Sequence, residues 1–194
     1  MPVAFLAADG VDQRELAGAW QAVAEAGGRP GLLAPGPGRV QTYRHLERVG
    51  DVVVDGTIAE ADPDDWGLLV LPGGVACPDR LRTERAAVEL VRAFVRGGRP
   101  VAAICHAPWL LAEADVLHGR TVTSWPSLRT DLVNAGATWV DEPVRVCRAG
   151  PGVLVTSRRP GDLPWFTEAL VTEAAHGRRA SSGRGAGEGH RLVL

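Results

Sequence analysis

The chain has 194 residues, 45% hydrophobic and 23% charged, long enough to bury roughly 70% of its unfolded surface in one core. A net charge of −2 leaves no cationic excess for a phosphate backbone or an anionic bilayer, which argues against nucleic-acid and membrane partners. All 21 Lys+Arg positions are Arg, and without a lysine amine Schiff-base chemistry, pyridoxal phosphate and the Walker P-loop are excluded.

Val3 to Ala7 is a short apolar run, and Ala8-Asp9-Gly10-Val11-Asp12-Gln13 leads from it into a helix over Glu15 to Ala26 with Leu16, Trp20, Val23 and Ala24 at helical spacing. Leu32-Leu33-Ala34 re-enters as a strand. The Pro- and Gly-broken stretch from Pro35 to Gly50, followed by Val52-Val53-Val54, predicts a second βαβ step. Gly67 to Leu71 is a buried strand ending in Pro72-Gly73-Gly74. A helix follows over Thr83 to Val95, with Thr83 as its N-cap and Gly97-Gly98 as its stop.

Pro100 to Ile104 is the next buried strand, and Cys105-His106 stands where it turns into a helix over Ala107 to Ala114. Beyond it come a strand near Thr121-Val122-Thr123 and a helix over Ser127 to Asn134. Short strands follow at Thr138-Trp139-Val140, Val144-Arg145-Val146 and Val153-Leu154-Val155, then a last helix from Asp162 to about Ala175. Alternating apolar strands and amphipathic helices predict an α/β fold: a flavodoxin-like, three-layer αβα sandwich with a mainly parallel sheet. The domain is expected over residues 1–176. A flexible tail is expected over 177–194, where Gly, Ser and Arg alternate without period. No apolar run reaches the ~20 residues of a membrane span and no basic leader opens the chain, so a cytoplasmic protein is expected.

In an open α/β sheet, ligands bind beyond the carboxyl ends of the strands. Three segments converge there: Asp9 to Glu15, Pro72-Gly73-Gly74 and Cys105-His106. A thiol on a sharp strand-to-helix turn is held in a fixed orientation, and helical N–H groups would favour its thiolate. Cys105 is therefore the candidate nucleophile, against the alternative of a small buried hydrophobe. His106 is a candidate base on substrate or water, although sequence neighbours at a helix start usually point apart. Glu15 and Asp12 each read two ways, as site carboxylates or as ordinary acidic residues at a helix start, where Asp12 would be the cap. Gly73 and Gly74 let backbone approach a ligand, and their N–H groups, with that of His106, could hold an oxyanion. Cys77 and Cys147 have no comparable setting and form no Cys-x-x-Cys pair. His45, His118, His176 and His190 read as surface residues. No motif calls for a metal, a nucleotide or a flavin, so no cofactor is expected.

The run Ala102-Ala103-Ile104-Cys105-His106-Ala107-Pro108-Trp109-Leu110-Leu111 resembles the nucleophile elbow of the ThiJ/PfpI superfamily. Leu69-Val70-Leu71-Pro72-Gly73-Gly74 resembles its oxyanion loop, and Thr123-Ser124-Trp125-Pro126 with Asp131 to Ala137 resembles the segment that follows. Val155-Thr156-Ser157-Arg158 with Pro160-Gly161-Asp162-Leu163 resembles the end. The likeness runs from about Val3 to Ala175 and is nearest to the PfpI-like intracellular peptidase or general-stress branch, which carries His directly after Cys. The resemblance implies a class I glutamine-amidotransferase-like fold, Cys105 as nucleophile, His106 as the family's histidine and Glu15 as the carboxylate on the thiol. It further implies that Asp79, supplied by a neighbouring subunit, completes a triad, so that a homodimer or higher homo-oligomer is the functional form. Trp125 occupies a position where the family often has Tyr, and Trp125 and Asp12 are the candidates for substrate contact.

Three activities follow. The first is a cysteine-dependent hydrolase, with a substrate menu from the resemblance that spans peptides, amides, glyoxal-type aldehydes and glycated groups. The second is a stress-response redox sensor or chaperone in which Cys105 is oxidised. The third is an isonitrile-hydratase or amidase-like activity on a small molecule using the same thiol.

Overall fold

The computed structural model describes the backbone over residues 1–183 and side chains through residue 176. In chain order the elements are β1 (Pro2–Leu6), β2 (Val11–Asp12), α1 (Gln13–Glu25), β3 (Arg29–Ala34), β4 (Arg39–Arg44), β5 (Glu47–Val53), β6 (Gly56–Thr57) and β7 (Leu68–Leu71). Then follow α2 (Ala76–Leu81), α3 (Arg85–Arg96), β8 (Val101–Ile104), α4 (Pro108–Glu113), β9 (Thr121–Val122) and α5 (Arg129–Asn134). The last are β10 (Thr138–Trp139), β11 (Val144–Cys147), β12 (Leu154–Ser157) and α6 (Leu163–Gly183).

The central sheet has seven strands in the order β11-β12-β8-β7-β1-β3-β6. Every pairing in it is parallel except that of β11 with β12 at one edge. β7 and β8 are apolar and buried at every position, as strands covered on both faces must be. α1 packs on α6 and α3 on α4, giving the flavodoxin-like αβα sandwich. Helix α3 shows why: Ala87, Leu90, Val91, Phe94 and Val95 recur on one face and are buried, while the opposite face carries Arg85, Glu89, Arg92 and Arg96. No helix among the described residues is long and apolar enough to cross a membrane.

The segment after β3 differs from the expected βαβ step. Pro35-Gly36-Pro37-Gly38 cannot propagate a helix, and Arg39 to Arg44 alternates, with Val40 and Thr42 buried. β4 and β5 form an antiparallel hairpin, and β2 adds to β4 in a small three-stranded sheet. His45, at φ 56°, makes the left-handed turn of that hairpin.

Two local expectations are corrected as well. Glu84, not Thr83, occupies the N-cap of α3, because Thr83 Oγ1 is donated to the Arg80 carbonyl at 2.8 Å, closing α2. α6 does not stop at Ala175 but continues as helix to Gly183, consistent with the Arg-Arg-Ala composition there. The rest of the expected tail, 184–194, lies outside the described residues.

Candidate active site

β8, β7 and β1 are neighbours in the sheet, and chain order reverses between β1 and β7, since β3 and β6 extend the sheet one way and β7, β8 and β12 the other. The carboxyl ends of these three strands therefore deliver the β1–α1 loop, Pro72-Gly73-Gly74 and Cys105 to one place, a switch point of the kind where α/β proteins bind ligands.

Cys105 follows β8 directly and adopts φ 63°, a left-handed conformation that a non-glycine residue holds only when its surroundings fix it. Its N–H donates to the Ser157 carbonyl at 3.0 Å, and its carbonyl accepts the Trp125 N–H at 2.9 Å. This kink turns Cys105 Sγ back onto the next side chain, so that it lies 3.2 Å from His106 Nδ1. The pair that neighbours at a helix start would usually keep apart is thus in direct contact, and the positive φ, which sequence does not display, is the reason.

Glu15 projects from the first turn of α1 and is fully buried. Its Oε2 accepts the Gly73 N–H at 2.8 Å. Its Oε1 has no partner at ordinary geometry among the described residues, and the Cys105 thiol is the hydrogen-bonding side chain that acts on this carboxyl. Burial, then the charge of Asp12, pushes the Glu15 carboxyl up to about 8, against the pull of the Gly73 N–H. Glu15 is therefore protonated at neutral pH and can donate toward sulfur.

Burial also pushes the Cys105 thiol up, as does the Glu15 charge whenever it is present. The N–H groups of Gly74 and His106 pull the thiol the other way. A resting thiolate favoured by helical N–H groups is therefore corrected: α4 is short, it starts at Pro108, and proline has no N–H to contribute. Thiol and carboxyl share protons as one coupled pair. With Glu15 neutral, the charge that opposes the thiolate is gone. His106 is buried, which pushes its imidazole down and keeps it neutral, able to accept a proton. Its ring stacks on Trp125, with centroids 5.5 Å apart and planes 23° apart, and lies tilted against Trp109 at 5.3 Å.

Gly73 is not an oxyanion donor, because its N–H is committed to Glu15. It is glycine for another reason: a Cβ there would stand 2.5 Å from Glu15 Oε2 and 2.6 Å from Cys105 Cβ. Gly74, at φ 90°, presents its N–H to the sulfur, leaving Gly74 and His106 as the two donors for a developing oxyanion. Asp12 is first of all the α1 cap. Its Oδ1 accepts the N–H groups of Arg14 at 2.9 Å and Glu15 at 3.3 Å, so the capping alternative describes it, although it also lines the pocket at the thiol. Asp79 lies exposed on α2 and makes no side-chain hydrogen bond or ion pair among the described residues. Nor does any carboxylate bond to His106 among them.

The thiol opens into a cavity of about 120 Å³ lined by Gly10, Asp12, Arg14, Tyr43, His45, Gly74, Val75, His106, Trp125 and Pro160. A larger one of about 700 Å³ shares Gly10, Tyr43, His45 and Val75 with it and reaches Asp79, Arg80, Leu46 and Trp109. Arg14, Trp109 and the β4–β5 hairpin were not singled out by sequence. Arg14 had the one available signal, its place beside Glu15. Of the other cysteines, Cys77 is fully buried and accepts the Ala8 N–H at 3.3 Å, and burial pushes its thiol up to about 12. Cys147 is opposed by burial, but the N–H groups of Thr121 and Ala149 and the Arg120 guanidinium outweigh it and bring the thiol below its ordinary value. No group of His, Cys, Asp and Glu among the described residues has the arrangement of a metal site.

The profile described as the DJ-1/PfpI family matches residues 1–173. The chain belongs to the DJ-1/PfpI family. Deglycase PfpI of Pyrococcus furiosus is 48% identical over 118 residues, covering 60% of this chain and 68% of that protein. General stress protein 18 of Bacillus subtilis is 41% identical over 126 residues, covering 65% and 71%. Among solved structures, a two-domain protein of Anabaena variabilis containing DJ-1/ThiJ/PfpI-like and ferritin-like domains superposes with a TM-score of 0.82 at 32% identity. That match covers 90% of this chain and 50% of that one.

Proposed function

We propose that this DJ-1/PfpI protein is a cysteine-dependent hydrolase in which Cys105 is the nucleophile, His106 the proton carrier and Glu15 the carboxyl that holds the sulfur in place. The observation that carries the reading is the contact of Cys105 Sγ with His106 Nδ1 at 3.2 Å, under a buried carboxyl and between two backbone donors. In the first step Sγ bonds to the carbonyl carbon, the π pair moves to oxygen between the Gly74 and His106 N–H groups, and the thiol proton goes to Nδ1. With an amide, collapse restores the carbonyl, breaks the carbon–nitrogen bond and returns that proton to the leaving amine; with an aldehyde the adduct takes that proton on its oxygen and stands as a hemithioacetal, with no amine to lose. On the amide route water then adds to the thioester, giving its proton to His106 and, through it, to the departing sulfur. The name deglycase carried by the Pyrococcus furiosus relative supports glycated amines and reactive aldehydes as first substrates to screen, with peptides next.

Among the described residues His106 has no carboxylate partner, and Asp79 is exposed and has no side-chain partner. Both support a homo-oligomer in which Asp79 of a second copy approaches His106. The test is turnover of methylglyoxal, of methylglyoxal-treated amino acids and of peptides by the wild type, Cys105→Ala and Cys77→Ala. The reading expects turnover of at least one class that Cys105→Ala abolishes and Cys77→Ala keeps. Equal turnover by all three proteins overturns it.

A further inference from the structure

Backbone and guanidinium donors face the small pocket at the thiol. The Gly74 and His106 N–H groups face the sulfur. Arg14 lies on the pocket wall with 37% of its side chain exposed, close enough for the Cys105 charge to act on it. Its Nε and one Nη lean on Asp12, at 3.3 and 3.0 Å, and its other Nη has no partner among the described residues. The carboxylate on the pocket wall is already engaged. Both Asp12 oxygens are occupied by Arg14 and by the first backbone N–H groups of α1, and Glu15 is neutral at pH 7 and lies behind Gly73. Asp12 therefore acts as a brace that fixes a guanidinium at the pocket with donors to spare. At about 120 Å³, the pocket has room for roughly four waters' worth of volume at ~30 Å³ each.

We propose that this pocket selects a small carbonyl compound that carries an anionic group, foremost a carboxylate, and that Arg14 is the residue that selects it. The carbonyl oxygen sits between the Gly74 and His106 N–H groups while the carboxylate takes the open Nη of Arg14. Guanidinium suits this because its planar fork can hold Asp12 with one edge and a ligand with another. The inference rests on the reading of Cys105 as a reactive nucleophile, and the test separates the two.

Iodoacetate and iodoacetamide have the same leaving group and nearly the same size and differ in charge. Rates of Cys105 alkylation by each, followed by peptide mapping of the native protein at pH 7.5, give an acetate-to-amide ratio that is compared with the ratio for the same cysteine in the urea-unfolded chain. The proposal expects the native ratio to exceed the unfolded one about three- to fivefold, the scale of a partly exposed charge contact. It expects Arg14→Gln to remove that excess, Arg14→Lys to keep part of it, and glyoxylate to protect Cys105 better than glyoxal does. A native ratio equal to the unfolded one overturns the selection by charge whether or not the variants fold, and so does an excess that survives in a folded Arg14→Gln. If neither reagent modifies Cys105 in the native protein, the nucleophile reading itself falls, and the selectivity with it.

Discussion

Glu15 and Gly73 are tied across the site by a 2.8 Å hydrogen bond from the glycine N–H to Oε2, and this one contact explains three features. It anchors the carboxyl at the Cys105 thiol, it withdraws the Gly73 N–H from oxyanion duty, and it brings two chain segments so close that a Cβ does not fit between them. Replacing Gly73 with Ala therefore forces Glu15 and Cys105 apart. We expect a loss of about 1–3 kcal/mol from overpacking, read as a lower midpoint in thermal unfolding, together with loss of turnover. An active and equally stable Gly73→Ala protein would show that the contact is dispensable.

The raised Glu15 value makes stability depend on pH with a definite sign. The folded protein holds a proton on this carboxyl up to about 8, whereas the unfolded chain releases it near 4.5. The stabilisation is thus complete below about 4.5 and is lost as the pH rises through about 8. Glu15→Gln cannot ionise and escapes that loss. The difference in unfolding midpoint, variant minus wild type, is expected to grow more positive between pH 5 and pH 8.5. A pH-independent difference would mean that Glu15 is ionised throughout.

Trp125 covers the face of His106, so Trp125→Ala exposes the imidazole to water. The His106 value, held down by burial, is expected to move up toward that of an ordinary histidine, as followed by NMR titration of the ring signals. Trp125→Phe, which retains a stacking face, should stay near the wild type. An unmoved titration in Trp125→Ala would remove Trp125 from the account.

If Asp79 acts across an interface, two inactive proteins can complement each other. Cys105→Ser and Asp79→Asn, each inactive alone, are expected to regain part of the turnover when dissociated and reassembled together, because some mixed interfaces combine an intact Cys105–His106 pair with an intact Asp79. No regain, or a monomer by light scattering, would confine catalysis to one protomer.

Much of this was legible in the sequence, and what was not has physical causes. The buried strands Leu68–Leu71 and Val101–Ile104 announce themselves as unbroken apolar runs with Gly or Cys at the exit, which placed Gly73, Gly74 and Cys105 at the strand ends. The β4–β5 hairpin was missed because its weak alternation is overshadowed by the Pro-Gly run before it, and its pairing with β2 is a tertiary contact. Whether Asp12 was a cap or a ligand depended on where its oxygens point, and that the Gly73 N–H was already engaged depended on Glu15, 58 positions away in the chain. The direction of the Cys105 shift was misread for a related reason: a strand-to-helix turn suggests helical donors, but it does not reveal how deeply the sulfur and its carboxyl are buried.

The central claim is that Cys105 and Glu15 share protons as a reactive pair, and the pH dependence of Cys105 alkylation by iodoacetamide tests it most directly. The account predicts a midpoint above that of a free thiol, because burial and the Glu15 charge both push the sulfur up, a lower midpoint in Glu15→Gln, which carries no such charge, and no signal at this position in Cys105→Ser. A midpoint that does not move in Glu15→Gln would contradict it and leave the sulfur uncoupled from that carboxyl.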